Sequence, residues 1–260
     1  MLVIFYKLIN CYNCATFSRV KCQHIYRGFF VFIFLFMHFL SSAQSDVLGG
    51  WYIVNLNYQL NQKFTLYSEI QTRSQHVADD FYYHELKAGA SYALPGNGAV
   101  FLGFGNYKTY TIPGNFKKPV EVNENRIWEQ FTLTNNISRI KFEHRYRIEQ
   151  RWLNGDFHNR FRYRLAAYVP INHATIKDNT LIFSVFDEVF FTDKKPYFLR
   201  NRVFFGPGYQ INKLLTIQTG FLRQFDYNEV DGGTGKNFLQ VSLLFTAGSS
   251  NRTEHRSNTD

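Results

Sequence analysis

The sequence predicts an all-β protein, a single antiparallel up-and-down transmembrane β-barrel of ten or twelve strands. Three observations carry that expectation: a charged and a greasy face alternating with a period of two, a leader that reads as a secretion signal, and no later apolar segment long enough for a spanning helix. The alternation is cleanest between Arg139 and Tyr168. Lys141, Glu143, Arg145, Arg147, Glu149 and Arg151 fall on one face, Ile140, Phe142, Tyr146, Ile148 and Trp152 on the other. Successive side chains leave a pleated strand on opposite sides, so this period means strand. After Asn154-Gly155 it resumes, with Arg160, Arg162 and Arg164 against Phe161, Tyr163, Leu165, Ala167 and Val169. Asn-Gly tolerates the positive φ of a tight hairpin turn. That turn predicts the facing pairs Arg151 with His158, Glu149 with Arg160, Arg147 with Arg162 and Arg145 with Arg164. Such a surface is too charged for a core and its reverse too aromatic for water, which fits a wall with lipid outside and polar groups inside.

The start of the chain agrees with that location. Arg27, the apolar run Phe29 to Leu40 and Ser41-Ser42-Ala43 before Gln44 read as the charged, apolar and cleavage regions of a secretory signal. Residues 1–43 are therefore expected to be a signal peptide, cut after Ala43, and no cysteine stands at the cut to take a lipid. Met1 to Arg19 is unlike a signal, and a start near Val20 would leave Lys21, His24 and Arg27 as its charged region. Cys11, Cys14 and Cys22 all fall within this leader, so the Cys11–Cys14 spacing loses its zinc or redox reading. The full chain carries 29 basic and 20 acidic residues, and four of the basic ones, Lys7, Arg19, Lys21 and Arg27, lie in the leader. The remaining 25 against 20 leave a net +5. That mild excess, spread over alternating strand positions, argues against nucleic acid as a partner. Aromatic residues make up 18% of the chain, and tyrosine and tryptophan collect where hydrocarbon meets headgroups; Trp51, Trp128 and Trp152, near strand ends, are read that way.

Eleven alternating runs follow: 51–60, 64–75, 81–94, 99–110, 126–134, 139–152, 157–169, 180–191, 198–209, 214–225 and 237–246. Tyr52, Val54, Leu56 and Tyr58 alternate with Asn55, Asn57 and Gln59, and Phe64, Leu66 and Ile70 with Thr65, Tyr67, Glu69, Gln71 and Arg73. Leu214 to Phe225 is less clean. Single-chain bacterial barrels use even strand numbers, so one run is expected to be misread, giving ten or twelve. Short connections at Asn61-Gln62, Pro95 to Gly98, Asn135-Asn136 and Ile211 to Lys213 are expected on the periplasmic side. Longer ones at His76 to Asp80, Thr111 to Asn125 and Asp226 to Gly235 are expected outside. Asn154-Gly155 and Pro170 to Asn179 break this alternation. Residues 44–248 form one expected barrel domain, and 249–260 a polar tail.

At Trp51, the run from His144 to Arg151, Arg160 to Arg164, Asn201-Arg202 and Gly206-Pro207-Gly208-Tyr209, the chain resembles a group of outer-membrane proteins catalogued as domain of unknown function 2490. The resemblance implies a signal-bearing barrel with no established activity. No catalytic residue can be carried over from it.

The candidate site is the enclosed charged surface: Glu143, Arg145, Arg147, Glu149, Arg151, Arg160, Arg162 and Arg164, joined by Glu69, Arg73, Glu85, Glu188 and Arg202. Like charges facing each other across a strand pair are unfavourable, so Arg145 with Arg164 and Arg147 with Arg162 need acids between them. The first expectation is an ion-pair network that fills a narrow interior. The alternatives are an anion-preferring narrow pore for small anionic solutes, a soluble periplasmic barrel that binds a ligand against an inward apolar face, and a lipid-modifying barrel enzyme. No Gly-x-Ser-x-Gly, His-Glu-x-x-His, glycine-rich phosphate loop or His-x-Ser pair follows the leader, so an enzyme is not expected. Asp187-Glu188 are strand neighbours and point to opposite faces. His76, His158 and His173 lack metal spacing, and His144 falls on the apolar face. No cofactor is expected, and the expected partner is outer-membrane lipid.

Overall fold

The computed structural model describes residues 47–230 and 232–248. Over that range the chain is a closed barrel of eleven strands in sequence order. They are β1 (Leu48–Gln59), β2 (Phe64–His76), β3 (Asp79–Ala93), β4 (Gly98–Tyr110), β5 (Val120–Ile137), β6 (Ile140–Leu153), β7 (Asp156–Pro170), β8 (Thr180–Thr192), β9 (Phe198–Gln210), β10 (Leu215–Tyr227) and β11 (Gly233–Gly248). The predicted signal peptide (1–43) and polar tail (249–260) lie outside the described residues.

Every alternating run is a strand, so the count of ten or twelve is corrected to eleven. Neighbours that alternate in direction around an odd ring must meet a like-directed pair once, and that pair is β1 with β11, running parallel from Leu48 beside Asn237 to Gln59 beside Gly248. A parallel ladder is only slightly weaker per residue than an antiparallel one, and it leaves no open edge.

The Arg139–Tyr168 hairpin has the register expected from its turn: Arg145 faces Arg164, Arg147 faces Arg162, Glu149 faces Arg160 and Arg151 faces His158. Asn154 (φ 48°) and Gly155 (φ 102°) both take positive φ, the requirement that singles out Asn-Gly for this tight link. Connections divide between the two rims as expected, with 60–63, 94–97, 138–139 and 211–214 on one and 77–78, 111–119 and 228–232 on the other; 154–155 and 171–179 are the exceptions in length that the sequence shows, and 77–78 is shorter than expected. At the rim where β1 begins, hereafter the first rim, two-residue links at 77–78 and 154–155 stand beside a nine-residue one at 111–119; the second rim pairs the tight 138–139 turn with the nine-residue 171–179.

Orientation follows the periodicity. Ile70, Leu86, Leu102 and Phe104 project outward, each close to 60% exposed, while Glu69, Glu143, Glu149 and Glu188 point inward at 2% or less. Two tryptophans depart from the sequence reading. Trp51 and Trp128 are buried in the lumen, and only Trp152 faces out. Trp51 joins Ile53, Phe204, Leu222 and Phe238 in an apolar cluster on β1, β9, β10 and β11. Leu222 turns inward to meet that cluster, which is why the run 214–225 alternates poorly. A second cluster joins Tyr67, Phe101 and Trp128. Gly103 makes room for it, because a Cβ there would come within 2.4 Å of both the Phe101 and Trp128 rings.

Candidate functional site: the enclosed charge network

All thirteen candidate residues are on inward-facing positions, but the barrel divides them into separate groups. On β6, β7 and β8 the opposed arginines turn to different acids. Arg145 Nη2 donates to Glu188 Oε1 (2.6 Å), whereas Arg164 Nη2 donates to Glu143 Oε1 (2.8 Å). Arg162 bridges two carboxylates, donating from Nη1 to Glu149 (2.6 Å) and from Nε to Glu188 (3.0 Å). Arg160 Nε also donates to Glu149 (2.6 Å). Arg147 is held by Gln130 Oε1 through Nε (2.9 Å) and Nη2 (2.7 Å) and lies 3.5 Å from Glu149. The diagonal carboxylates thus offset the like-charge contacts imposed by register. Buried pairs of this kind recover their large desolvation cost only when geometry and hydrogen bonding are good. Arg145 Nε and Nη1 and Glu143 Oε2 lack a hydrogen-bond partner among the described residues.

A second group sits on β1, β2 and β3. Lys87 binds both Glu85 (2.7 Å) and Glu69, and Glu69 also accepts hydrogen bonds from Gln71 (2.6 Å) and Asn55 (3.2 Å). Gln71 in turn accepts from Trp51 Nε1 at 2.7 Å. Arg151 belongs to a third group, where it shares Glu124 with Arg126. Arg73, 3.7 Å from Glu85, and Arg202, which faces Glu188 in register, both lie against Trp51, with guanidinium carbons 3.5 and 4.8 Å from the centre of its ring.

Lys87, Glu124, Arg126, Arg200, Asp226 and Lys236 are members that the sequence reading missed. Same-face spacing could have found them: Lys87 is two residues from Glu85, Arg200 two from Arg202, and Glu124 two from Arg126. Glu129, ambiguous in sequence, faces outward and accepts from Gln150 Nε2 (3.1 Å). Asp187 also faces outward, bonded by Asn201 Nδ2 at 2.6 Å, so it does not pair with Glu188. His144 on the exterior is paired locally, its Nδ1 lying 2.9 Å from the Tyr163 hydroxyl.

The arrangement is suited to filling space. A void bordered by Ile53, Glu69, Arg164, Tyr168 and Phe186 has room for little more than one water molecule. No group of three or more His, Cys, Asp or Glu side chains able to hold a metal occurs among the described residues.

No curated protein and no solved structure matches the chain. With the barrel, its register and its inward charges described, the remaining comparison concerns family: the chain belongs to the family described as Protein of unknown function (DUF2490), which matches it over residues 48–233.

Proposed function

We propose that this chain is an outer-membrane barrel with a sealed lumen, a structural element that passes no solute and catalyses no reaction. On this reading it is exported by a signal cut after Ala43, and its partner is the surrounding lipid. The observation that carries the sealed state is the cross-linking of β6, β7 and β8 by Arg162 between Glu149 and Glu188, all three side chains at most 4% exposed. Buried Phe190 lies alongside, its ring centre 4.6 Å from the Arg162 guanidinium carbon. The membrane location is supported by the outward Ile70, Leu86, Leu102 and Phe104, because a barrel in water would bury such an apolar belt. The same orientation disfavours the soluble ligand-binding alternative. Planar-bilayer recording tests the seal: purified protein that inserts without raising conductance supports it, and a steady open-channel current refutes it. Detergent-free release of the protein by osmotic shock would refute the location.

A second reading, an anion-preferring narrow pore, is favoured by one imbalance. The buried lumen residues include eight basic and six acidic side chains. It requires a current that selects anions and falls when Arg145, Arg147, Arg162 and Arg164 are neutralised.

A further inference from the structure

A further group of cations borders the main network on the side of the first rim, meeting it where Arg202 faces Glu188 across β8 and β9 and where the Phe190 ring lies between Arg162 and Arg202. Arg200 and Arg202 lie on the inward face of β9, and Gln224 and Asp226 face them from β10. Lys236 of β11 is the register partner of Gln224 on its other side. Arg73 of β2 completes the group from across β1, since it and Arg202 both lie against the Trp51 ring. Arg200 and Arg202 also share a second ring, that of Phe190, at 5.7 and 4.8 Å. All four cations are near the strand ends that form the first rim. Lys236 is exposed, the Arg200 side chain is 21% exposed and that of Arg73 11%, so the group grades from solvent into the barrel. Beneath it the buried Trp51 and Phe190 form an apolar floor.

Acids balance these charges only in part: Glu188, which faces Arg202 in register, is held by Arg145 at 2.6 Å and Arg162 at 2.8 Å. Asp226 pairs with Arg200 and also accepts from Gln224 Nε2 at 2.7 Å. Glu85 reaches Arg73 only at 3.7 Å and is held more closely by Lys87. The hydrogen-bonding partner of Arg202 is neutral, Gln224 Oε1 at 2.9 Å. Neither Arg202 nor Lys236 has a carboxylate within ion-pairing distance among the described residues. Arg73 Nε is buried with no acceptor. Stacking on Trp51, Tyr83 and Phe190 stabilises the guanidinium groups but leaves their charge in place.

We propose that this cup at the first rim, built from Arg73, Arg200, Arg202 and Lys236, binds a small oxyanion such as a phosphate or a carboxylate. Guanidinium groups supply forked donors that fit such oxygens, and the cup offers them where water is partly excluded. The floor stops the anion at the rim, making the cup a binding site without a path through the barrel. The inference goes beyond the sealed-barrel reading and does not depend on it, since a solute reaches the rim in a micelle as it does in a bilayer.

The test is isothermal titration calorimetry of inorganic phosphate into the full-length protein refolded in a zwitterionic detergent. Saturable one-site binding is expected. Lys236→Gln, at the exposed lip, and Arg202→Gln, at the floor, are each expected to weaken it by roughly tenfold, the value of one charge-assisted hydrogen bond. Lys63→Gln, at the second rim, is expected to bind as the parent does. Lys236 is exposed and its ammonium meets the Tyr82 ring only at 5.8 Å, so its variant remains informative if Arg202→Gln fails to fold. Absence of saturable heat with the parent protein, or unchanged binding by Lys236→Gln, would overturn the proposal.

Discussion

Replacing Glu149 by glutamine removes one negative charge from the point where two strands of guanidinium groups meet. The carboxylate is fully buried and accepts from Arg160 and Arg162, both at 2.6 Å, with Arg147 at 3.5 Å. Glutamine preserves the shape but presents one N–H2 to a cation, leaving buried positive charge less compensated. Breaking one side of a buried ion pair costs about 3–5 kcal/mol. Because Arg162 retains Glu188, the expected loss is at the lower end, about 3 kcal/mol. The assay is reversible urea unfolding in lipid vesicles, followed by tryptophan fluorescence. A double-mutant cycle with Arg162→Met separates the pair from the rest of the network, with an expected coupling above about 1 kcal/mol. A Glu149→Gln variant within about 0.5 kcal/mol of the parent, which is the range of ordinary surface changes, would show that the ion pairs are incidental to the fold. Strict additivity in the cycle would refute the bridging role of Arg162.

Three further outcomes are expected. Ile70→Arg, on the outward face and seventh of the 13 residues of β2, should lose about 2–4 kcal/mol in vesicles; equal stability of parent and variant there would contradict the lipid-facing exterior. Gly103→Val should lower the folded fraction on refolding by forcing apart the Phe101 and Trp128 rings, at about 1–3 kcal/mol or more, and normal refolding would show that this cluster can yield. Asp193, in the link after β8, has its carboxyl held below the ordinary carboxylate range chiefly by the hydrogen bond from the Asn159 side chain. A lowered folded-state value means a stabilising contribution present above the unfolded carboxylate range and lost as pH falls through the folded value. Carboxyl titration by NMR should therefore move upward in Asn159→Ala, and an unmoved titration would remove the cause assigned to it.

The hairpin from Arg139 to Tyr168 was fully legible because each position reports one face and the Asn-Gly turn specifies the facing partner. Strand existence was equally legible, since even the poorly alternating run 214–225 forms β10. The even-number rule obscured the count, for nothing local in Leu48–Gln59 says whether its far neighbour runs parallel to it. Trp51 and Trp128 were read as interfacial because each opens or nearly opens its alternating run; parity places them inward, where Trp51 meets Phe238 from the far end of the chain and Trp128 meets Phe101 of the neighbouring β4. The charges of the main network could be named, but their pairings could not, because Arg145 reaches over β7 to Glu188 of β8 while Arg164, opposite it, turns back to Glu143. Lys87 and Arg200 went unread although each stands two residues from a named lumen charge, Glu85 and Arg202, whereas Lys236 has no charged same-face neighbour on its strand.

The like-directed closure of β1 against β11 has a consequence for sidedness. An even-numbered up-and-down barrel brings the start of its first strand and the finish of its last to the same compartment; here Leu48 and Gly248 are delivered to opposite ones whenever the barrel sits across a bilayer. Epitopes fused next to these two residues would then be shielded and accessible in turn: an antibody added to sealed vesicles of uniform insertion reaches one and spares the other.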